Sequence, residues 1–312
     1  MQVFGNSIRF GVQLATSRTP YAQYRENWLT CERLGYDIAY VTDHFVFPGT
    51  DQGQIPVMES TTLLSAMAAQ TSRMRCGFMV LGNTFRYPGV LAKIAVTLDQ
   101  VSNGRLELGM GAGNGQFEHA QYDIPFYTQG RRLRMLGESL KVVRSLLSNE
   151  RTSFEGRYYK LHDAICEPKP VQAHVPILIG AVGEGLALRN VAESADIWNF
   201  YDSPSLEVYR DKLAVLSQHC RDVGRDANDI RKSMHIKPLV GETEAELDDR
   251  AEVQVRARGR RRPEQLTEEL LTFVKQGVRD FVFMLDAPAD LRSLGLIATK
   301  VAPQVRAEAK NL

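Results

Sequence analysis

The sequence predicts a (β/α)8 TIM barrel with insertions at the C-terminal face, and three observations carry that expectation. Short runs rich in β-branched and aliphatic residues alternate with longer stretches of helical period, the pattern of repeated strand–helix units around a parallel sheet. About eight such runs occur, at residues 9–14, 38–42, 75–81, 106–110, 177–179, 197–200, 234–240 and 281–285, and eight strands close such a barrel. The chain has 312 residues, 44% of them hydrophobic, which suits one domain of that size spanning 1–312.

In a barrel of this kind the chemistry collects just after the strands. The first strand, RFGVQL, is followed by a helical stretch, and the second ends in Thr42-Asp43-His44-Phe45. A histidine there can act as a general acid or base. Alternatively, Asp43 caps the following turn and His44 is polar lining. The third run passes through Met79 and Val80 into Gly82-Asn83-Thr84-Phe85, where apolar side chains make either a platform for a flat ring or ordinary core. The next helix carries a stripe of Leu91, Ile94, Leu98 and Val101, stepping by three and four.

The fourth run opens into GMGAGNGQFEH, from Gly109 to His119. A dinucleotide-binding loop needs a third glycine three positions after the second, and those places hold Asn114 and Gln116, so that reading fails. At a barrel mouth the small residues Gly111, Ala112, Gly113 and Gly115 instead let backbone turn inward close to a planar ligand. A second helix stripe follows at Leu133, Leu136, Leu140, Val143 and Leu147.

Residues 150–175 interrupt the alternation: a Glu155-Gly156 turn between aromatic runs predicts a hairpin, and Pro168, Pro170 and Pro176 lead to the fifth strand. That strand ends in Gly180-Ala181-Val182-Gly183-Glu184-Gly185 and opens into a helix near Leu186, where unpaired backbone N–H groups favour an anion such as a phosphate. Late in the chain a basic run from Arg256 to Gln265 is either a solvated loop or a clamp for an anionic ligand.

The 38 basic and 37 acidic residues leave net charge near zero, so nothing suggests nucleic acid or an acidic membrane as partner. Cys31, Cys76, Cys166 and Cys220 form no C-x-x-C pair, and no two histidines have metal-ligand spacing, so no metal is expected. Neither a secretory leader nor a spanning segment is legible, and the expected location is the cytoplasm.

Taken together, TDHF, GNTFRYPGVLAKIAVTLDQVSNGRLELGMGAG, FEHAQYDIPF, FEGRYYKLHDAICEPKPVQ, PILIGAVGEG and VAESADIWNF resemble the bacterial luciferase-like flavin and deazaflavin oxidoreductases, from about Ile8 to about Ile297. The resemblance implies a barrel, usually a homodimer, binding coenzyme F420 or FMN at the C-terminal mouth, and it is nearest the F420-dependent branch. By it, Asp43 lines the ring, His44 transfers a proton, and Met79-Val80 matches a bulge with a non-prolyl cis peptide on which the ring rests. Gly82, Ala112 and Gly113 match contacts to the ring edge and ribityl chain; Gly180, Ala181, Gly183 and Glu184 match the phosphate surround. One departure stands out: the family's sugar-phosphate dehydrogenases carry a glutamate at the position of Asn114, and an amide holds no proton for transfer. Proton handling then falls to His44, Glu118 or water.

The expected activity is hydride transfer between coenzyme F420 and an unidentified small organic substrate, with a separate reductase supplying reduced cofactor. The alternatives are an FMN-dependent monooxygenase using reduced flavin and oxygen, and a non-catalytic flavin-binding protein.

Overall fold

A strand in a closed parallel barrel is covered on both faces, by the barrel interior and by helices, which is why the runs read as nearly continuous apolar stretches. The computed structural model describes residues 5–47, 54–201, 205–251, 259–285 and 289–312. Arg9–Leu14, Ile38–Val41, Arg75–Phe78, Leu106–Gly111, Ile177–Gly180, Ile197–Phe200, Arg231–Ile236 and Val278–Leu285 pair in parallel in chain order, and the last pairs with the first at Asp280 and Arg9. This is the expected closed (β/α)8 barrel.

The helix stripes are core. Leu136, Leu140, Val143 and Leu147 are buried on the helix Gln129–Ser148, each worth about 1.5–3 kcal/mol. On Pro88–Val101 the stripe ends at Leu98, since Val101 in the last turn is 43% exposed. All four cysteines are buried and free.

Strand boundaries depart from expectation in two places, each for a physical reason. The run 75–81 is broken after Phe78, and Leu81–Gly82 pairs separately with the fourth strand. The step from Gly77 to Leu81 faces the shorter step from Glu107 to Met110, so one extra residue bulges out at Met79–Val80. The seventh and eighth strands begin earlier than predicted, at Arg231 and Val278, and Leu239–Val240 leaves the barrel to pair with Arg260–Arg261. The early starts were masked by Arg231, Lys232, Arg279 and Asp280, polar residues in strand positions.

Of those charges, Arg231 and Asp280 belong to a plug at the lower end of the barrel. Arg9 donates to Glu107 at 2.6 Å and to Asp280 at 2.6 and 2.8 Å; Arg231 reaches Asp280 at 2.8 Å, Arg75 reaches Glu107 at 2.7 Å, and the Tyr40 hydroxyl donates to Glu107 at 2.8 Å. Burial would push both carboxyls up, but Arg9, with Arg75 at Glu107 and Arg231 at Asp280, holds them below the usual range. Above this layer Ile38, Tyr40, Met79, Leu178, Ile197 and Val282 form a small inner core, so the barrel is filled up to the level of the Met79–Val80 bulge.

The predicted hairpin forms between Thr152–Glu155 and Lys160–Ala164. The Glu138 carboxylate accepts the N–H groups of Arg157, Tyr158 and Tyr159 at 2.8–3.2 Å, which fastens the turn to the helix Gln129–Ser148. Tyr159 then reaches Asn83, 3.2 Å from its amide nitrogen. The hairpin therefore buttresses the third strand from outside. The C-terminal face carries other short additions, Val46–Phe47 paired with Ile55–Pro56 and the Leu239–Val240 pair.

Candidate active site

The upper strand ends enclose a cavity of about 390 Å³. His44, half-buried just after the second strand, lines it and lies over the Phe47 ring, with centroids 4.4 Å apart. Its Nδ1 sits 2.8 Å from Glu118 Oε1, and Glu118 Oε2 accepts the Phe45 N–H at 2.9 Å. Glu118 is buried on the short helix Gln116–Gln121 that follows the fourth strand. An ionised carboxylate only accepts, so Nδ1 is the donor in this contact, and in the neutral imidazole Nε2 is then the acceptor. Among the described residues Nε2 has no hydrogen-bond partner.

Asp43 is buried beside it but is fully engaged. Its oxygens accept the Ser60 hydroxyl at 2.6 Å, the Gly82 N–H at 2.9 Å and Arg86 at 2.7 and 3.0 Å. Arg86 also bonds Glu59 at 2.7 Å, and Glu59 caps the helix Ser60–Ala69. Burial opposes ionisation of Glu59, yet the Thr62 and Thr61 amides and Arg86 bring its pKa to about 2. Asp43 thus ties the second strand to Gly82 and lines the cavity with its charge already answered.

The Met79–Val80 peptide is cis, and Gln13 Nε2 donates to the Met79 carbonyl at 2.6 Å. The glycines of the fourth strand have partners that the sequence reading did not anticipate. A Cβ on Gly111 would stand 2.7 Å from Val80, one on Gly113 2.3 Å from the Thr84 hydroxyl, and one on Gly115 2.3 Å from Glu118 Oε1; Gly113 and Gly115 also have φ near +80°. Their first use is to admit the Val80 bulge, Thr84 and the carboxylate behind His44. Gly82, Ala112 and Gly113 nonetheless line the cavity, with Asn114. His119, next to Glu118, is structural: its nitrogens meet Thr84 at 2.7 Å and the Gly115 carbonyl at 2.8 Å.

At the fifth strand, Gly180 and Ala181 line the cavity. Gly183 and Glu184 lie outside its wall, exposed, and Glu184 is held 2.6 Å from Lys212. The helix Leu186–Ser194 starts here without a side-chain cap. Of the basic run, Arg260 pairs with Asp248, Arg261 with Glu269 at 2.6 Å and Arg262 lies 3.9 Å from Glu244; none of the three lines the cavity. Arg256 to Arg258 lie outside the described residues.

The sequence did not single out several wall residues, among them Phe47, Asn199, Tyr201 and Met284, and two of the missed residues are polar and unpaired. Gln13 and His235 line the cavity from the first and seventh strands, and Gln13 Oε1 and both His235 nitrogens lack partners. In the sequence Gln13 was one polar letter between Val12 and Leu14, and His235 one of several polar letters in the stretch RKSMHIK. No Lys or Arg lines the cavity among the described residues. Among them, too, no group of three His, Cys, Asp or Glu is placed to hold a metal, and no helix is long and apolar enough to cross a membrane.

The profile of the family described as "Luciferase-like monooxygenase" matches residues 4–299. The chain is 30% identical over 232 residues to a protein of Microbacterium testaceum named F420-dependent glucose-6-phosphate dehydrogenase, covering 74% of this chain and 68% of the relative. Among solved structures, an F420-dependent secondary alcohol dehydrogenase in complex with an F420-acetone adduct superposes with a TM-score of 0.80 at 19% identity, over 96% of this chain and 99% of the other. A riboflavin lyase with modified FMN and riboflavin superposes with a TM-score of 0.82 at 12% identity, over 97% and 92%. Those two likenesses establish the fold.

Proposed function

The chain belongs to the luciferase-like monooxygenase family, and we propose that within it the protein is an oxidoreductase that uses coenzyme F420 to transfer a hydride to or from a small uncharged substrate. The His44–Glu118 pair beside the Met79–Val80 platform is the observation that carries this reading. A flat uncharged ring fits the cavity, whose wall combines the apolar bulge with unpartnered polar atoms and lacks basic side chains among the described residues.

Met79 and Val80 would support the ring, Gly82, Ala112 and Gly113 would flank it, and the turn from Gly180 through Ala181 and Gly183 would take the phosphate with the helix N-terminus. Glu184, committed to Lys212, would shape that turn from outside. When bound there, a deazaflavin supplies hydride chemistry whose reduced form reacts poorly with oxygen. The chain's own part is proton handling at the substrate oxygen. His44 Nε2 takes the hydroxyl proton of an alcohol, or returns it to a carbonyl, while Glu118 holds Nδ1–H and stabilises the imidazolium. Asn114 lines the cavity but cannot hold that proton, which separates this chain from the sugar-phosphate pattern.

A homodimer, a reductase partner and a cytoplasmic location belong to the same proposal. Titration of the purified protein with coenzyme F420 and with FMN tests it. The expectation is micromolar or tighter binding of F420, about −8 kcal/mol, with FMN at least tenfold weaker. Tighter FMN binding and oxygen consumption by the reduced complex would make the protein a flavin monooxygenase instead.

A further inference from the structure

Gln13 Oε1 and both nitrogens of His235 are buried in the cavity wall without partners. Neither side chain is free to turn elsewhere. Gln13 Nε2 is committed to the Met79 carbonyl at 2.6 Å, and the His235 ring is stacked on Tyr201 with centroids 5.6 Å apart. Burial, helped by Lys237, brings the His235 pKa down to about 3, so at neutral pH the ring offers one donor and one acceptor. Leaving such a group unpaired costs stability, whereas an apolar side chain of similar shape would cost nothing of the kind. That cost is retained at two positions, on the first and seventh strands, that face one space above the inner core of Ile38, Tyr40, Met79, Leu178, Ile197 and Val282.

We propose that Gln13 and His235 form a ligand subsite reading an uncharged group that presents a donor beside an acceptor: an amide or imide edge, or a hydroxyl. Gln13 Oε1 takes the ligand's hydrogen, and His235 supplies the complementary donor and a second acceptor. A carboxylate or phosphate is disfavoured there, because it would face Gln13 Oε1 with no Lys or Arg in the described wall. The group can come from two sources of the same chemistry, the imide edge of a flavin-type ring or the substrate. The inference deepens the oxidoreductase reading and rests on it for the choice of probes.

The test compares wild type with Gln13→Met, His235→Phe and His235→Leu. Coenzyme F420 and FMN are titrated into each ligand-free protein; then acetamide and 2-propanol are titrated into the F420-loaded protein and read by cofactor absorbance. Melting temperatures are measured without ligand. A subsite for the ring edge predicts that each variant weakens F420 and FMN alike, at least tenfold. A subsite for substrate predicts unchanged cofactor affinity and loss of the response to the neutral probes. In both cases the His235 variants melt no lower than wild type. Lower melting temperatures for both His235 variants, or no change in any binding, would overturn the proposal. Failure of wild type to bind either cofactor would count against the oxidoreductase reading alone, and the melting comparison would still decide whether His235 is merely structural.

Discussion

Glu118 Oε1 lies 2.8 Å from His44 Nδ1, although the two residues come from different strand ends and 74 positions apart. The second Glu118 oxygen is fixed by the Phe45 N–H, so the imidazole has one orientation and one tautomer.

His44→Ala is expected to lower turnover roughly a hundredfold while leaving cofactor affinity within a few fold, the signature of a lost proton-transfer group. Glu118→Gln should lower turnover by about tenfold with KM little changed, since it disturbs how His44 is held rather than what the substrate touches. Steady-state kinetics beside cofactor titration decides this. Loss of cofactor binding in either variant would assign the pair to structure.

Gly115→Ala should reproduce the Glu118 defect without replacing either His44 or Glu118. The new Cβ would stand 2.3 Å from Glu118 Oε1 at a φ of +78°. Adding Glu118→Gln to Gly115→Ala should then cost little more turnover, because both changes act on one contact. Additive losses would separate the glycine from the dyad.

Gly183→Asp probes the phosphate position cleanly. A Cβ there meets only Ala187, at an ordinary 3.5 Å, so the fold should tolerate it. Negative charge beside the helix N-terminus should weaken cofactor binding at least tenfold, about 1.4 kcal/mol. Unchanged affinity in the folded variant would move the phosphate elsewhere.

His235 makes stability depend on pH in a defined direction. Its folded-state pKa of about 3 lies below the ordinary 6.5, so as pH falls below about 6.5 the unfolded chain binds a proton that the folded chain refuses. That stability is present at neutral pH and is lost progressively toward pH 3. Between pH 7 and pH 5, urea denaturation should show wild type losing about 2 kcal/mol more than His235→Phe. Parallel losses would mean that His235 is protonated without penalty in the folded state.

The barrel was legible because aliphatic runs and helical stripes need no tertiary knowledge. His44 was legible as the residue after a strand, and Met79–Val80 through family resemblance. Less visible was why the fourth strand end is glycine-rich: Val80, Thr84 and Glu118 fill the space, and only the folded chain brings them there. Gln13 escaped because one polar residue in an apolar run reads as noise, and His235 because it is one of several polar residues in RKSMHIK, until the neighbours across the barrel are known. The starts of the seventh and eighth strands escaped for the opposite reason, since Arg231, Arg279 and Asp280 look like loop until the pairing of Asp280 with Arg9 and Arg231 is seen.

The arginine–carboxylate plug also sets the traffic. With the lower end of the barrel closed by charges from the first, third, fourth, seventh and eighth strands, and by Tyr40 from the second, the way in is also the way out. Two molecules that meet in such a blind tube must queue: whichever seats deeper arrives first and departs last. For the proposed reaction of cofactor and substrate, compulsory-order kinetics is the expected outcome, and product-inhibition patterns check it.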